Sequence, residues 1–195
     1  MSFNLVDQPI DTFQSVYQPI KFTARKSFVG EGISLADARN KYVSSKVTIT
    51  PYDNITNNQL TSQRVTIRVQ PSIDIPNFTS LGNTPNNNYV YYSIDVSSIC
   101  RDFLSYDLRP CTHDLTTLVR RDITQAEISN NVYKSFLVKF ELEEIVNGEL
   151  VVTNDSDTGS FVATNTALLH EEEHYLNIGE NLLNDSNFTN QGGGL

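Results

Sequence analysis

The chain has 195 residues, with 14 Lys+Arg against 23 Asp+Glu and a formal net charge of −9, enough for one domain or two small ones and too few for a large multidomain enzyme. Its 10 Phe and 9 Tyr are too many for a disordered chain, and the acidic balance argues against a protein that neutralises a phosphate backbone with clustered Lys and Arg. The 20 Asn, 18 Ser and 18 Thr point to short strands joined by polar turns.

The first forty residues read as an extended arm and a first strand. Pro9 and Pro19 push Gln8 and Gln18 toward extended geometry, and Tyr17, Ile20 and Phe22 form a short apolar strand. After Gly30 and Gly32, Ser34 can cap one turn of helix reaching Asn40. From Lys46 the period becomes two. Val47 and Ile49, then Val65, Ile67 and Val69, alternate with polar residues and predict two strands joined by the solvated loop 53–59. Residues 71–88 hold three prolines and Asn86-Asn87-Asn88, which predicts a long surface connection.

Tyr89 to Val96 reads as a strand, after which Asp95 or Ser97 caps a short helix with Ile99, Phe103 and Leu104 on one face and Pro110 as its stop. The strongest alternation runs from Val132 to Val146, with Phe136, Val138, Phe140 and Leu142 on one face and Ser135, Lys139, Glu141 and Glu143 on the other. Asn147-Gly148 then supplies the positive φ angles of a tight hairpin into Leu150-Val151-Val152. A further strand is expected from Ser160 to about Leu169. The expectation is an all-β, mainly antiparallel β-sandwich with one short helix and long loops. Its divisions are an N-terminal arm and strand at 1–40, the sandwich at 41–178 and a flexible, Asn- and Gly-rich tail at 179–195.

Few residues suggest chemistry. Cys100 and Cys111 cannot make a disulfide framework and read as free buried thiols; His113 beside Cys111 lacks the further ligands of a zinc knuckle. His170-Glu171-Glu172-Glu173-His174 matches H-E-x-x-H, and Glu180 stands six residues on, where a third zinc ligand could lie. Against that reading, Glu172 and Glu173 occupy positions that a metal helix buries, and the run Phe161 to Thr166 leading into the motif reads as strand. The segment is therefore expected to be a solvated acidic turn. Glu141, Glu143 and Glu144 read as the wet face of a strand, and Tyr89, Tyr91 and Tyr92 as core edge or subunit interface. No phosphate loop or nucleophile elbow is present, so no cofactor and no catalytic residue is expected. Neither a run of about 18 apolar residues nor a basic, apolar leader occurs, so no membrane segment is expected and the chain is expected to fold inside a cell.

Several stretches together resemble a family of structural proteins from tailed bacteriophages. They are Asp7-Gln8-Pro9 with Ser15-Val16-Tyr17-Gln18-Pro19-Ile20-Lys21-Phe22, then Ile94-Asp95-Val96-Ser97-Ser98-Ile99 with Phe103-Leu104-Ser105, then Tyr133 to Glu144, and Asn165-Thr166-Ala167-Leu168-Leu169. Ile94 stands where that pattern has Phe, and residues 107–131 form a longer insert. The resemblance implies a noncatalytic virion component of the tail or head–tail connecting region, made in the bacterial host cytoplasm. Its partners would be copies of itself and other virion structural proteins, with no nucleic acid read directly. A capsid auxiliary or cement protein is the alternative, and a zinc metallohydrolase through His170, Glu171 and His174 is the remote one.

Overall fold

The computed structural model describes residues 2–10, 13–74, 86–104 and 133–165. In chain order the elements are β1 Phe3–Asp7, β2 Phe13–Ser15, β3 Lys21–Ser27, α1 Leu35–Lys41, β4 Ser44–Pro51, a 3-10 turn Thr61–Gln63, β5 Val65–Val69, β6 Tyr89–Asp95, α2 Ser97–Arg101, β7 Tyr133–Val146 and β8 Glu149–Thr164. Two sheets result, one of three strands in the order β1-β3-β6 and one of five in the order β2-β8-β7-β4-β5. All pairings are antiparallel except the short β2, which runs parallel to the end of β8.

Period-two alternation decides what each strand buries. Phe136, Val138, Phe140 and Leu142 of β7, Val47 and Ile49 of β4, and Phe161 and Ala163 of β8 join one core with Phe3, Leu5, Phe22, Ala24, Val90 and Tyr92 of the smaller sheet. The protein is thus an all-β sandwich. Phe22 packs on Phe161 at 5.6 Å between ring centroids, and Phe161 stacks on Phe136 at 5.8 Å, which ties the two sheets through three aromatic rings. Against Phe22 and Leu5 of the smaller sheet β8 carries Gly159, the one described glycine whose missing side chain makes room for neighbours.

The structure revises the expected elements in detail. The described residues hold two α-helices rather than one, because Ser34 Oγ accepts the Asp37 amide at 3.1 Å and Arg39 and Lys41 fall in the last turn, so α1 runs seven residues. In α2 the anticipated cap is displaced by one residue: Val96 is the cap, and Asp95 accepts from the backbone amides of Ser97 and Ile20 just ahead of it. The strand expected from Ser160 begins at Glu149, because the polar run Thr153 to Thr158 continues the ladder against β7. The stretch 1–40, expected as an arm and a first strand, places β1, β2 and β3 in the two sheets, with Phe3 and Phe22 fully buried. Residues from 166 onward, including the anticipated tail, lie outside the described residues, as do Cys111, His113 and Pro110.

Candidate assembly surface

Strand β7 pairs with β4 only as far as Glu143, which lies opposite Ser44 at the first residue of β4. The β7–β8 hairpin continues alone past that point. Asn147 at φ 52° and Gly148 at φ 80° make the turn that their dipeptide forecasts. Ile145 lies opposite Leu150 and Glu143 opposite Val152 on one face; Glu144 lies opposite Val151 and Val146 opposite Glu149 on the other. Both faces are therefore partly apolar. Val146, Leu150, Val151 and Val152 are each more than 40% exposed, four of the ten large exposed apolar side chains among the described residues, gathered within seven positions. A ladder shift between Glu141 and Glu143, where β8 carries the additional residues, separates this finger from the body of the sheet.

An ion pair holds the root of the finger. Glu143 is only 1% exposed, and its two oxygens accept from Arg68 Nε at 2.8 Å and Nη2 at 3.0 Å, with Ser44 Oγ donating at 2.7 Å. The Arg68 guanidinium keeps the Glu143 carboxyl below the usual carboxylate range against the opposing effect of burial, and Ser44 adds to the lowering. The expectation that Glu143 belongs to a wet strand face is thus corrected, since Arg68 covers it. Glu141 instead meets Lys139 of its own strand at 3.5 Å.

The sheet edges differ in how they are closed. On β1 the Leu5 amide donates to Asp157 Oδ2 of β8 at 2.8 Å, and on β6 the Tyr91 carbonyl accepts the Ser72 amide at 2.8 Å. Strand β5 pairs only with β4 among the described residues. Val65, Ile67 and Val69 are half-buried on it, and Thr66 and Arg68 are exposed.

At the opposite end of β7, Tyr52, Asp53, Asn54, Asn57, Tyr133 and Lys134 line a cavity of about 130 Å³. The Lys134 ammonium donates to the Tyr52 carbonyl at 2.9 Å; burial lowers its pKa, with Asp53 opposing. That volume falls well short of the several hundred Å³ that a nucleotide-sized ligand needs. Cys100 is buried and its thiol is pushed up by burial, which makes it a poor nucleophile. Of the tyrosines expected at an edge, Tyr92 is fully buried and donates to the Tyr42 carbonyl, Tyr91 is buried, and Tyr89 lies under the Arg25 guanidinium at 3.9 Å. Among the described residues no three His, Cys, Asp or Glu gather as metal ligands, and His170, Glu171, His174 and Glu180 lie outside them. No described helix is long and apolar enough to cross a membrane.

No protein-family model matches the chain, and no curated protein matches it. Among solved structures, the chain is similar to MtrC from Shewanella baltica OS185, with 11% identity and a TM-score of 0.23, covering 85% of this chain and 23% of that one. It is also similar to AggA, the major subunit of aggregative adherence fimbriae type I from Escherichia coli, with 11% identity and a TM-score of 0.24, covering 83% of this chain and 91% of that one. Neither superposes closely enough to transfer a role.

Proposed function

We propose that this chain is a noncatalytic structural protein of a bacteriophage particle, in the tail or the head–tail connecting region, working through contacts with copies of itself and with neighbouring particle proteins. The observation that carries the reading is the hairpin finger, apolar on both faces and rooted by a buried ion pair. Covering its four exposed side chains would remove on the order of 250 Å² of apolar surface from water, roughly 6 kcal/mol before ordering costs. Exposed apolar side chains gathered on one projecting hairpin are suited to a protein–protein contact. The bacteriophage setting comes from the sequence resemblance, and the finger supplies a means of assembly to that setting.

The test is the pair Leu150→Ser and Val151→Ser, made together. Both side chains are exposed, so the monomer should keep its melting temperature while association, followed by light scattering during size exclusion, and incorporation into particles in an infected host both fall. Unchanged incorporation would refute the assembly role. Cryo-electron density for the chain on the outer shell of purified particles would move the assignment to a capsid auxiliary protein.

A further inference from the structure

We propose that two copies of this chain pair antiparallel along the edge of β5 that no described residue pairs with, in a register centred on Ile67, so that their five-stranded sheets join into one sheet of ten. The inference rests on the reading of the chain as a self-assembling unit and names the surface that does it.

The edge lacks the devices that normally prevent such pairing. Natural edge strands are blunted by proline, bulges or outward lysines. Within Val65–Val69 there is no proline, no bulge and no lysine, and the one charge, Arg68, is drawn sideways onto Glu143. Its backbone partners lie on β4 alone among the described residues, whereas β1 and β6 have their outer edges contacted by Asp157 and Ser72.

The side-chain order is symmetric. Val65, Ile67 and Val69 share the core-facing side, since Val65 lies opposite Ile49 and Ile67 opposite Val47 of β4. An antiparallel copy centred on Ile67 sets Val65 opposite Val69 and Ile67 opposite itself, so two half-open apolar rows merge on one face. On the other face Thr66 meets Arg68. No like charges oppose one another, and β5 has no carboxylate although the chain carries a net charge of −9. The contact is self-complementary, as a two-fold interface requires. It is also short. Five residues give about 17 Å of ladder, and the surface covered falls below the roughly 1,200 Å² of a standard interface. The pair should therefore form at the high subunit concentrations of assembly and dissociate on dilution.

Thr66 is exposed and allows a test of opposite signs in the full-length chain. Thr66→Lys places a cation opposite Arg68 twice in each pair and should weaken dimerisation about tenfold, while Thr66→Glu places a carboxylate there and should tighten it severalfold, both read by sedimentation equilibrium. Melting temperatures confirm that both variants fold. Register is read separately by oxidising Ile67→Cys in a Cys111→Ser background. Facing Cα atoms of antiparallel strands lie about 4.5–5.5 Å apart, within disulfide reach, so this variant should cross-link. Thr66→Cys, displaced from its own copy by two residues, should not cross-link. The proposal is overturned if Lys and Glu at position 66 shift the association constant alike, or if Ile67→Cys stays monomeric on oxidation. Association that ignores position 66 but is lost with the Leu150 and Val151 changes would sink β5 pairing and leave the assembly reading standing; a chain that never associates with itself would sink β5 pairing and the self-contacts of that reading together.

Discussion

Gly159 offers the sharpest check on how the two sheets meet. It is buried on β8 opposite Val138, and a methyl group on its Cα would lie 2.7 Å from Gln8 Oε1, 2.9 Å from Phe22 Cε2 and 3.4 Å from Leu5 Cδ1. The Gln8 amide can swing aside. The Phe22 ring cannot do so freely, because it is fully buried against Phe161, which is stacked in turn on Phe136. Overpacking of this kind costs about 1–3 kcal/mol, offset by about 0.5–1 kcal/mol because alanine loses less chain entropy than glycine in a strand. Because the stacked ring holds the clash in place, the upper part of that range applies, so Gly159→Ala should cost about 1–2 kcal/mol net, and since a chain of this size loses about 2–4 °C per kcal/mol, its melting temperature should fall by about 2–8 °C in a circular-dichroism melt. Replacing Phe22 by Leu opens space at the same point, so the alanine should cost at least about 0.5 kcal/mol less in that background. A melting temperature that stays level or rises, with no coupling between the two sites, would mean that β1 and β3 do not lie against β8 in this way.

Three further outcomes are accessible to the same melts and to urea titrations. Because the folded pKa of Glu143 is lowered, its carboxylate contributes stability that is complete above the ordinary pKa of 4.5 and is lost as the pH falls through the folded value; Glu143→Gln should therefore lower stability at neutral pH and flatten the acid limb of the curve. Ser34→Ala removes the cap of α1 and should cost about 1 kcal/mol, with partial recovery in Ser34→Asp. Gly148→Val forces a β-branched residue to φ 80° and should cost about 1–2 kcal/mol, with raised amide exchange confined to the finger if the body of the sandwich is independent of it.

Local signals explain which parts of the fold were legible. The alternation of Phe136, Val138, Phe140 and Leu142 and the turn at Asn147-Gly148 each sit within one continuous stretch, so β7 and its hairpin could be read directly. The β4–β5 pair was legible for the same reason. Strand β1 was not, because Phe3 to Asp7 shows only one clean alternation before Pro9, and its pairing comes from β3 and from Asp157, 152 residues away from Leu5. The run Thr153 to Thr158 has the composition of a loop and is held extended by the ladder of β7, which composition does not report. At the candidate surface, the apolar residues of the finger were visible, yet their exposure depends on β4 beginning at Ser44. Likewise Glu143 has the spacing of a wet-face residue, and only Arg68, 75 positions away, makes it a buried anchor.

The Arg68–Glu143 pair connects the two surfaces that assembly would use. Arg68 belongs to the outer edge of β5, which pairs only with β4 among the described residues, and Glu143 belongs to the root of the finger, so the charge that would guard the edge is spent on steadying the hairpin. If two copies join along β5, the antiparallel relation sends their fingers out from opposite ends of the shared sheet, because each finger leaves its sandwich at the Val69 end of β5. One contact is then closed by symmetry and two remain open, an arrangement that extends into a ring or a filament when each finger meets a third copy or a different neighbour. Protonating Glu143 in acid would loosen the finger and leave Arg68 uncompensated at the edge, so the open and closed contacts should weaken together as the pH drops below the ordinary carboxylate range. Selective loss of only one of them, followed by sedimentation of the Leu150/Val151 and Thr66 variants across that range, would show that the two surfaces are not linked through this pair.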